Sequence, residues 1–272
     1  MPQYENPKVP EGFNVSEEHP LKEFILLVCG IGAVVAAVVF ALTLLAQNVA
    51  RAIPFEMEKK LAAIADFSVN TDNQKPSEIE NYLSALASKL AIQQDLPEGM
   101  TITLHYSNQN IVNAFATLGG HIFVYQGLID KLPHENALAM VIAHEIAHIQ
   151  HRDPIVAMGR GVTMMLVLAL FTGGDSAVAQ QFLGQIGLVT ALNFNREQEL
   201  AADNVALETL QSFYGHVKGA EVLFEVLSEE EGEMPLAFLS THPVTQSRID
   251  RIVAFRDKHA GSGVLTPLPN YQ

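Results

Sequence analysis

The chain has 272 residues, 49% of them hydrophobic, and a formal net charge of −14 at pH 7. This length is enough to bury one sizeable core, and the mean hydropathy of +0.18 is high for a purely soluble enzyme. The strong negative charge offers no electrostatic footprint for nucleic acid, so that class of partner is excluded. The single cysteine, Cys29, excludes an intrachain disulfide.

The first apolar segment of the chain follows a proline-containing, acidic stretch at residues 1–23, which is predicted to be a flexible tail. Residues 24–46 hold no charged side chain, and at about 1.5 Å per residue they can cross a hydrocarbon core of about 30 Å. We therefore predict a transmembrane helix. A cleaved signal peptide is disfavoured because the run is too long and no basic cluster precedes it. The few flanking basic residues do not determine the orientation.

A connector of two helices is predicted at residues 47–94, with a polar link at residues 70–76. Residues 101–106 resemble a strand, and the apolar alternation around Phe115 and Ile122 predicts further strand structure.

The segment from Asn113 to Gly120 is a candidate substrate-binding edge. An edge strand beside a catalytic centre can pair with an extended peptide through main-chain hydrogen bonds. Candidate substrate contacts are therefore Asn113, Ala114, Phe115 and Gly120. An ordinary hairpin strand is the competing interpretation, and the sequence does not separate the two.

Residues 135–150 carry the motif His144-Glu145-x-x-His148 in a helix that is apolar around nearly its whole circumference. Positions i and i+4 share a helix face, so both imidazoles can bind one zinc ion. Glu145 then lies beside the open coordination position. It can take a proton from a water whose pKa the metal lowers to roughly 7, and later deliver that proton to a leaving amine. The motif therefore predicts peptide hydrolysis.

Two further apolar stretches follow, at residues 155–171 and 177–192. Arg160 lies in the first and three glutamines lie in the second, which argues against two lipid-exposed spans. We predict a helical hairpin that packs on the catalytic core or dips into the membrane surface. The chain then has one span, and at most three.

A third metal ligand is expected from a second buried helix, and Glu199 and Asp203 lie one turn apart among apolar residues. We assign Glu199 as the ligand. Asp203 is predicted to accept the free N–H of a ligating histidine and so fix its tautomer. Glu197 faces about 200° away from Glu199 and is predicted to face solvent or to pair with a basic group.

His242 precedes a proline in a predicted loop, from which its side chain could reach the metal. One role is to hydrogen-bond the oxyanion of the tetrahedral intermediate, for which Arg248 is a second candidate. The other role is that of a fourth zinc ligand that displaces the water and keeps the enzyme inactive. The sequence leaves both open.

These blocks resemble a known family, the membrane-associated gluzincin peptidases that include HtpX, the CAAX prenyl proteases and the Oma-type proteases. The matching motifs are the strand block at 113–124, HExxH at 144–148, ExxxD at 199–203 and His-Pro followed by Arg-Ile at 242–249. The resemblance implies a mostly helical α+β, zincin-like metalloprotease domain with a small β-sheet, following the transmembrane helix. It also implies one Zn²⁺ per chain and a polypeptide substrate. We place this domain at residues 95–258 and a C-terminal tail at 259–272.

The resemblance favours a membrane-anchored zinc metalloendopeptidase that degrades misfolded or damaged membrane-associated or envelope proteins. Prenyl proteases have many more transmembrane spans, which argues against a prenyl-peptide substrate for this chain. A processing protease with one substrate and a catalytically silent metal-binding adaptor are alternatives, and a non-peptidase amidohydrolase ranks third. We expect a single-pass protein in contact with the lipid bilayer of a bacterial inner membrane, with a periplasmic catalytic domain; a mitochondrial inner membrane is the other setting. The oligomeric state is not predicted.

Overall fold

The structure is a computed structural model, and it describes residues 20–64, 77–172, 194–229, 238, 242–243, 245–259 and 263–270. Within these ranges helices dominate and one small sheet is present, so the predicted α+β class is confirmed. The helices are α1 (Pro20–Ala52), α2 (Phe55–Ile64), α3 (Glu78–Gln93), α4 (Gln126–Lys131), α5 (Glu135–Gln150), α6 (Asp153–Thr172), α7 (Arg196–Tyr214), α8 (Val222–Glu229) and α9 (Gln246–Lys258). The strands are β1 (Thr103–Ser107), β2 (Ala114–Thr117) and β3 (His121–Tyr125).

The chain divides into two compact units, Met1–Leu44 and Leu45–Gln272. The described part of the first unit belongs to α1, whose apolar side chains are exposed. The stretch Leu21–Ala52 is the one described helix that is long and apolar enough to cross a membrane. It contains the predicted span at 24–46 and extends it at both ends. Of the predicted hairpin, α6 covers the first stretch. The second stretch, 177–192, lies outside the described residues.

The sheet of the second unit has the order β1-β3-β2. β1 runs parallel to β3, with Thr103 opposite His121, whereas β2 runs antiparallel to β3, with Ala116 opposite Ile122. β2 is therefore an edge strand of this sheet. All four β2 residues are nonetheless buried, because the strand lies against α5.

Helix α5 forms the centre of the core. Every residue from Asn136 to Ile149 is buried, as the apolar circumference of its sequence predicts. Its N-terminus is capped by His134, whose side chain accepts a hydrogen bond from the Ala137 amide. At the other end Arg152 adopts a left-handed conformation with φ 63°, so the chain breaks before α6 begins at Asp153.

The segment predicted as a connector at 47–94 packs on this core through two surfaces. Helix α3 contributes Leu83, Leu86 and Leu90 to the same hydrophobic cluster as α5. Ala50 and Ala62 form a second cluster with apolar residues of the β2–β3 turn and of α6, namely Leu118, Ile155 and Val156. The compact unit accordingly begins at Leu45.

Part of the predicted C-terminal tail, residues 263–270, also contacts the core. The Glu135 amide donates to the Thr266 carbonyl at 2.9 Å, and the Thr266 amide donates to Asn136 Oδ1 at 2.8 Å. These two hydrogen bonds tie the tail to the first turn of α5.

Candidate metal centre and active site

Four potential metal ligands converge on one point of the core: His144 and His148 from α5, Glu199 from the first turn of α7, and His242. The helices place the first three because i and i+4 share a face of α5 and because α7 packs along α5. None of the four residues is more than 2% exposed. The candidate centre is therefore closed to bulk solvent.

The distances between the ligand atoms match a tetrahedral metal site. Ligands about 2.0–2.1 Å from a zinc ion lie about 3.3–3.4 Å from one another at the corners of a tetrahedron. His144 Nε2 lies 3.0 Å from His148 Nε2, 3.3 Å from His242 Nδ1 and 3.4 Å from Glu199 Oε2. Glu199 Oε1 lies 3.0 Å from His242 Nδ1 and 3.5 Å from His148 Nε2. His144 thus approaches one oxygen of Glu199 and the other two imidazoles approach the second, and one ligand atom from each of the four side chains lies within 4.8 Å of the others.

Hydrogen bonds on the far side of two imidazoles support the same conclusion. His144 Nδ1 lies 3.0 Å from Asp203 Oδ1, and His148 Nδ1 lies 2.8 Å from Asp153 Oδ2. When each Nδ1–H donates to its carboxylate, each Nε2 presents a lone pair to the centre. Two lone pairs and a carboxylate at these distances repel one another unless a cation lies between them. The donor set therefore fits a divalent metal.

A proton on one of these imidazoles can supply part of the positive charge that the metal would otherwise supply. Burial alone lowers the pKa of His148, but its hydrogen bonds to Asp153 and Glu199 outweigh burial and raise that pKa to about 10. A metal ion that binds His148 at neutral pH must then displace a proton. Metal affinity is expected to fall as the pH falls.

The carboxylates of the centre are held in their charged form. Burial alone raises the pKa of Glu199, but the three surrounding imidazoles outweigh it and hold that pKa below its usual range. Burial also raises the pKa of Asp203, and hydrogen bonds from Arg248 and His144 reverse that shift. Both side chains therefore offer negative charge to the centre at neutral pH.

Glu145 lies beside the four ligand atoms without being one of them. Its Oε2 accepts a hydrogen bond from the Ala116 amide of β2 at 2.7 Å. Its Oε1 is buried, receives no hydrogen bond from a described residue, and lies 3.3 Å from His242 Nε2. One oxygen is thus anchored while the other remains able to accept a proton.

His242 and Arg248 are both candidates for oxyanion binding, and the structure puts them in different surroundings. His242 Nδ1 lies among the ligand atoms. The Arg248 guanidinium instead forms a two-point hydrogen bond with Asp203, at 2.7 and 2.8 Å, and lies 2.7 Å from Glu199 Oε2. Arg248 therefore orients two acidic side chains of the centre.

The four predicted substrate contacts separate into two groups. Ala114 and Phe115 lie on β2, the edge strand whose Ala116 amide holds Glu145, and Asn113 directly precedes it. Gly120 lies in the turn after β2, where a Cβ would come 1.9 Å from the Thr101 carbonyl oxygen and 3.2 Å from the Phe55 ring. Its φ of +83° and these close neighbours require a glycine at position 120, whether or not this residue contacts substrate.

Sequence reasoning did not identify Asp153 or its surroundings. Gln198 donates a hydrogen bond to the second oxygen of Asp153. Phe194 stacks on the His148 ring at a centroid distance of 4.0 Å. An aspartate followed by proline is typical of a helix start. Helix capping alone therefore explains Asp153 in the sequence, and nothing in the pattern predicts its contact with His148.

Comparison with known proteins adds a family to this geometry. The model of the family described as Peptidase family M48 matches residues 75–256, a range that contains all four potential ligands, Glu145, Asp203 and Arg248. The chain belongs to peptidase family M48. The resemblance to the membrane-associated gluzincin peptidases is thereby confirmed. Helices α1 and α2 precede the matched range.

Several relatives are similar to a little over half of the chain. Mitochondrial metalloendopeptidase OMA1 of Schizosaccharomyces pombe is 35% identical over 153 residues, which are 55% of this chain and 45% of the relative. Metalloprotease LoiP of Escherichia coli is 30% identical over 158 residues, 56% of this chain and 61% of the relative. The β-barrel assembly-enhancing protease of the same organism is 26% identical over 157 residues, 52% of this chain and 32% of the relative. The matches span less than two thirds of each relative.

A change at Glu199 should weaken metal binding. The Glu199→Gln variant replaces a charged ligand by a neutral amide, so we expect the metal affinity to fall at least about tenfold. Glu197→Gln, on the same helix turn but exposed, is the matched control and should bind metal like the wild type. The measurement is competition with a metal-chelating dye. Equal affinity of the two variants would exclude Glu199 as a ligand.

Proposed function

We propose that this chain is a membrane-anchored zinc metalloendopeptidase, with one Zn²⁺ held by His144, His148 and Glu199. The single observation that carries the proposal is the set of four buried potential ligand atoms within 4.8 Å of one another, with the carboxylate of Glu145 beside it. A purely structural metal site has no need of a base at that position. Membership of a peptidase family supports the same reaction.

The side chains of the centre have separate tasks in peptide hydrolysis. When bound, the metal supplies a Lewis acid that polarises a carbonyl group and lowers the pKa of water. Glu145 takes a proton at Oε1 from the attacking water and passes it to the leaving amine, while the Ala116 amide fixes its other oxygen. Asp203 and Asp153 keep the imidazoles in the ligating tautomer, and Arg248 orients Asp203.

In the proposed resting state, His242 would hold the metal as a fourth protein ligand in the place of the attacking water. Four protein ligands close a zinc site, whereas catalysis requires one open position. His242 Nδ1 lies 3.3 Å from His144 Nε2 and 3.0 Å from Glu199 Oε1, which is ligand spacing. Activity then requires that His242 leave. The same closed set favours the second candidate function, a catalytically silent metal-binding adaptor, and the activity of the His242→Ala variant distinguishes the two.

The proposed substrates are misfolded or damaged membrane-associated or envelope proteins. This role in protein quality control is supported by the apolar helix α1 and by the likeness to a β-barrel assembly-enhancing protease. We place the protein in a bacterial inner membrane as a single-pass protein with a periplasmic catalytic unit. A C-terminal phosphatase fusion, which is active only outside the cytoplasm, tests this orientation. A processing protease would instead cleave one substrate and leave unfolded proteins intact.

Metal removal tests the proposed activity. Casein is incubated with the full chain purified in detergent, before and after prolonged treatment with a strong chelator, and again after Zn²⁺ is restored. We expect internal cleavage products that disappear with the metal and return with zinc. Cleavage that survives complete removal of the metal, verified by elemental analysis, would contradict a metallopeptidase.

A further inference from the structure

Glu58, on helix α2, is a buried acid outside the matched family range. It is only 2% exposed, whereas the side chain of Glu56, two residues earlier on the same helix, is 70% exposed. Glu58 Oε1 accepts a hydrogen bond from the Gly119 amide at 2.9 Å, and Oε2 lies 2.7 Å from Arg152 Nη2. Burial raises the pKa of Glu58, while Gly119 and Arg152 act in the opposite direction. Burying a carboxylate costs free energy, which its hydrogen bond and its ion pair must offset. The role of Glu58 therefore depends on what these two partners hold in place.

Gly119, the first partner of Glu58, connects it to Glu145, the proposed general base. Gly119 belongs to the turn between β2 and β3, and α2 lies directly against it: a Cβ at Gly119 would come 3.0 Å from Ala62 Cβ and 3.2 Å from Lys59 Cα. Three residues before Gly119, the Ala116 amide holds Glu145 Oε2. The hydrogen bond from Gly119 to Glu58 therefore fixes one end of the strand that orients Glu145.

Arg152, the second partner of Glu58, connects it to His148, a proposed metal ligand. Arg152 stands in the left-handed region with φ 63°, a conformation that costs a non-glycine residue free energy and persists only when its surroundings enforce it. Arg152 Nη2 donates to the Ile53 carbonyl at 2.7 Å in addition to its contact with Glu58. The next residue, Asp153, holds His148 Nδ1. Glu58 thus helps to fix the backbone from which Asp153 reaches His148.

We propose that Glu58 is a positioning residue for the catalytic centre and that α2 is a functional part of the enzyme. This inference rests on the proposed peptidase function. Glu58 contacts neither metal ligand nor general base, but through Gly119 and Arg152 it constrains the supports of both. A shift of a catalytic group by about 1 Å can lower the rate about a hundredfold.

The test compares Glu58→Gln with Glu56→Gln in the full chain purified in detergent. Glu56 is the matched control because it lies on the same helix and its side chain is 70% exposed. With casein at temperatures well below unfolding, we expect Glu58→Gln to lower kcat at least tenfold and to change KM less than twofold. Glu56→Gln should match the wild type. A kcat of Glu58→Gln within twofold of the control overturns the inference, whereas inactivity of both the wild type and the His242→Ala variant counts against the proposed function instead.

A double variant separates positioning from stability. Glu58→Gln leaves the Arg152 guanidinium without its acidic partner, and this alone could unfold the protein. The Glu58→Gln, Arg152→Gln double variant removes both charges, so we expect it to unfold near the wild-type temperature and still to show a kcat at least tenfold reduced. Wild-type kcat in the folded double variant means that Glu58 serves stability alone and overturns the inference.

Discussion

Replacing Glu145 by glutamine is expected to lower casein cleavage by about 10²- to 10⁴-fold, the usual contribution of a general base. Glutamine has the same shape and can still accept the hydrogen bond from the Ala116 amide, so the fold and the position of the side chain should persist. The amide cannot take a proton at neutral pH. Because Glu145 is not one of the four ligand residues, the bound metal should remain at the wild-type level.

Two measurements check this result, the rate of casein cleavage and the metal content by elemental analysis. Glu197→Gln serves as the matched control, because Glu197 is exposed on α7. If the Glu145→Gln variant retains metal and cleaves within about threefold of the control, Glu145 is not the general base. Loss of metal together with activity would show instead that Glu145 supports the metal site.

The His242→Ala variant should show the opposite effect, an increase in kcat/KM of about tenfold or more. If His242 is the fourth ligand, as proposed, the alanine removes it and admits water, so every molecule is in the competent state. If His242 holds about 99% of wild-type molecules closed, the gain approaches a hundredfold. His259→Ala is the control, because His259 stacks on Phe255 at the end of α9 and contacts no ligand.

A decrease in activity would contradict the inhibitory role. If His242 binds the oxyanion of the tetrahedral intermediate, its loss lowers kcat by about a hundredfold. Unchanged activity would exclude both roles. The Glu145→Gln, His242→Ala double variant should be as inactive as Glu145→Gln alone, because opening the centre is useless without a base.

The parts of the centre that follow from helix geometry could be derived from the sequence. His144 and His148 share a face because they are four residues apart, and Glu199 and Asp203 do so for the same reason. A buried helix that carries imidazoles needs a partner that satisfies them, which pointed to a metal. The mostly helical fold with a small sheet followed from apolar periodicity in the same way.

Other parts depend on contacts between distant segments or on backbone conformations that leave no periodic signal. Arg248 was a candidate for oxyanion binding, but its partners Glu199 and Asp203 lie 49 and 45 residues earlier in the chain. Asp153 contacts His148 directly after a break in the helix at Arg152, whose backbone is left-handed. Helical periodicity cannot reveal such a break, since left-handed residues are set by tertiary contacts.

The membrane-side boundary shows the same limitation. Hydropathy marks where an apolar run can cross a bilayer, but it does not show where a helix joins a folded core. The compact unit begins at Leu45, within the helix that contains the predicted span, and Ala50 is buried against Ala62 and Leu118. The small side chain of alanine contributes little to hydropathy, so a sequence pattern does not show that Ala50 and Ala62 are closely packed.

If His242 is a fourth ligand, as proposed, the four candidate ligands also determine how inhibitors would act. A hydroxamate would then compete with His242 for the metal and would bind only molecules from which His242 has withdrawn. Its apparent Kd is then the intrinsic Kd divided by the fraction of open molecules. The ratio of hydroxamate affinities between His242→Ala and the wild type would therefore count the open molecules directly, in the absence of any substrate.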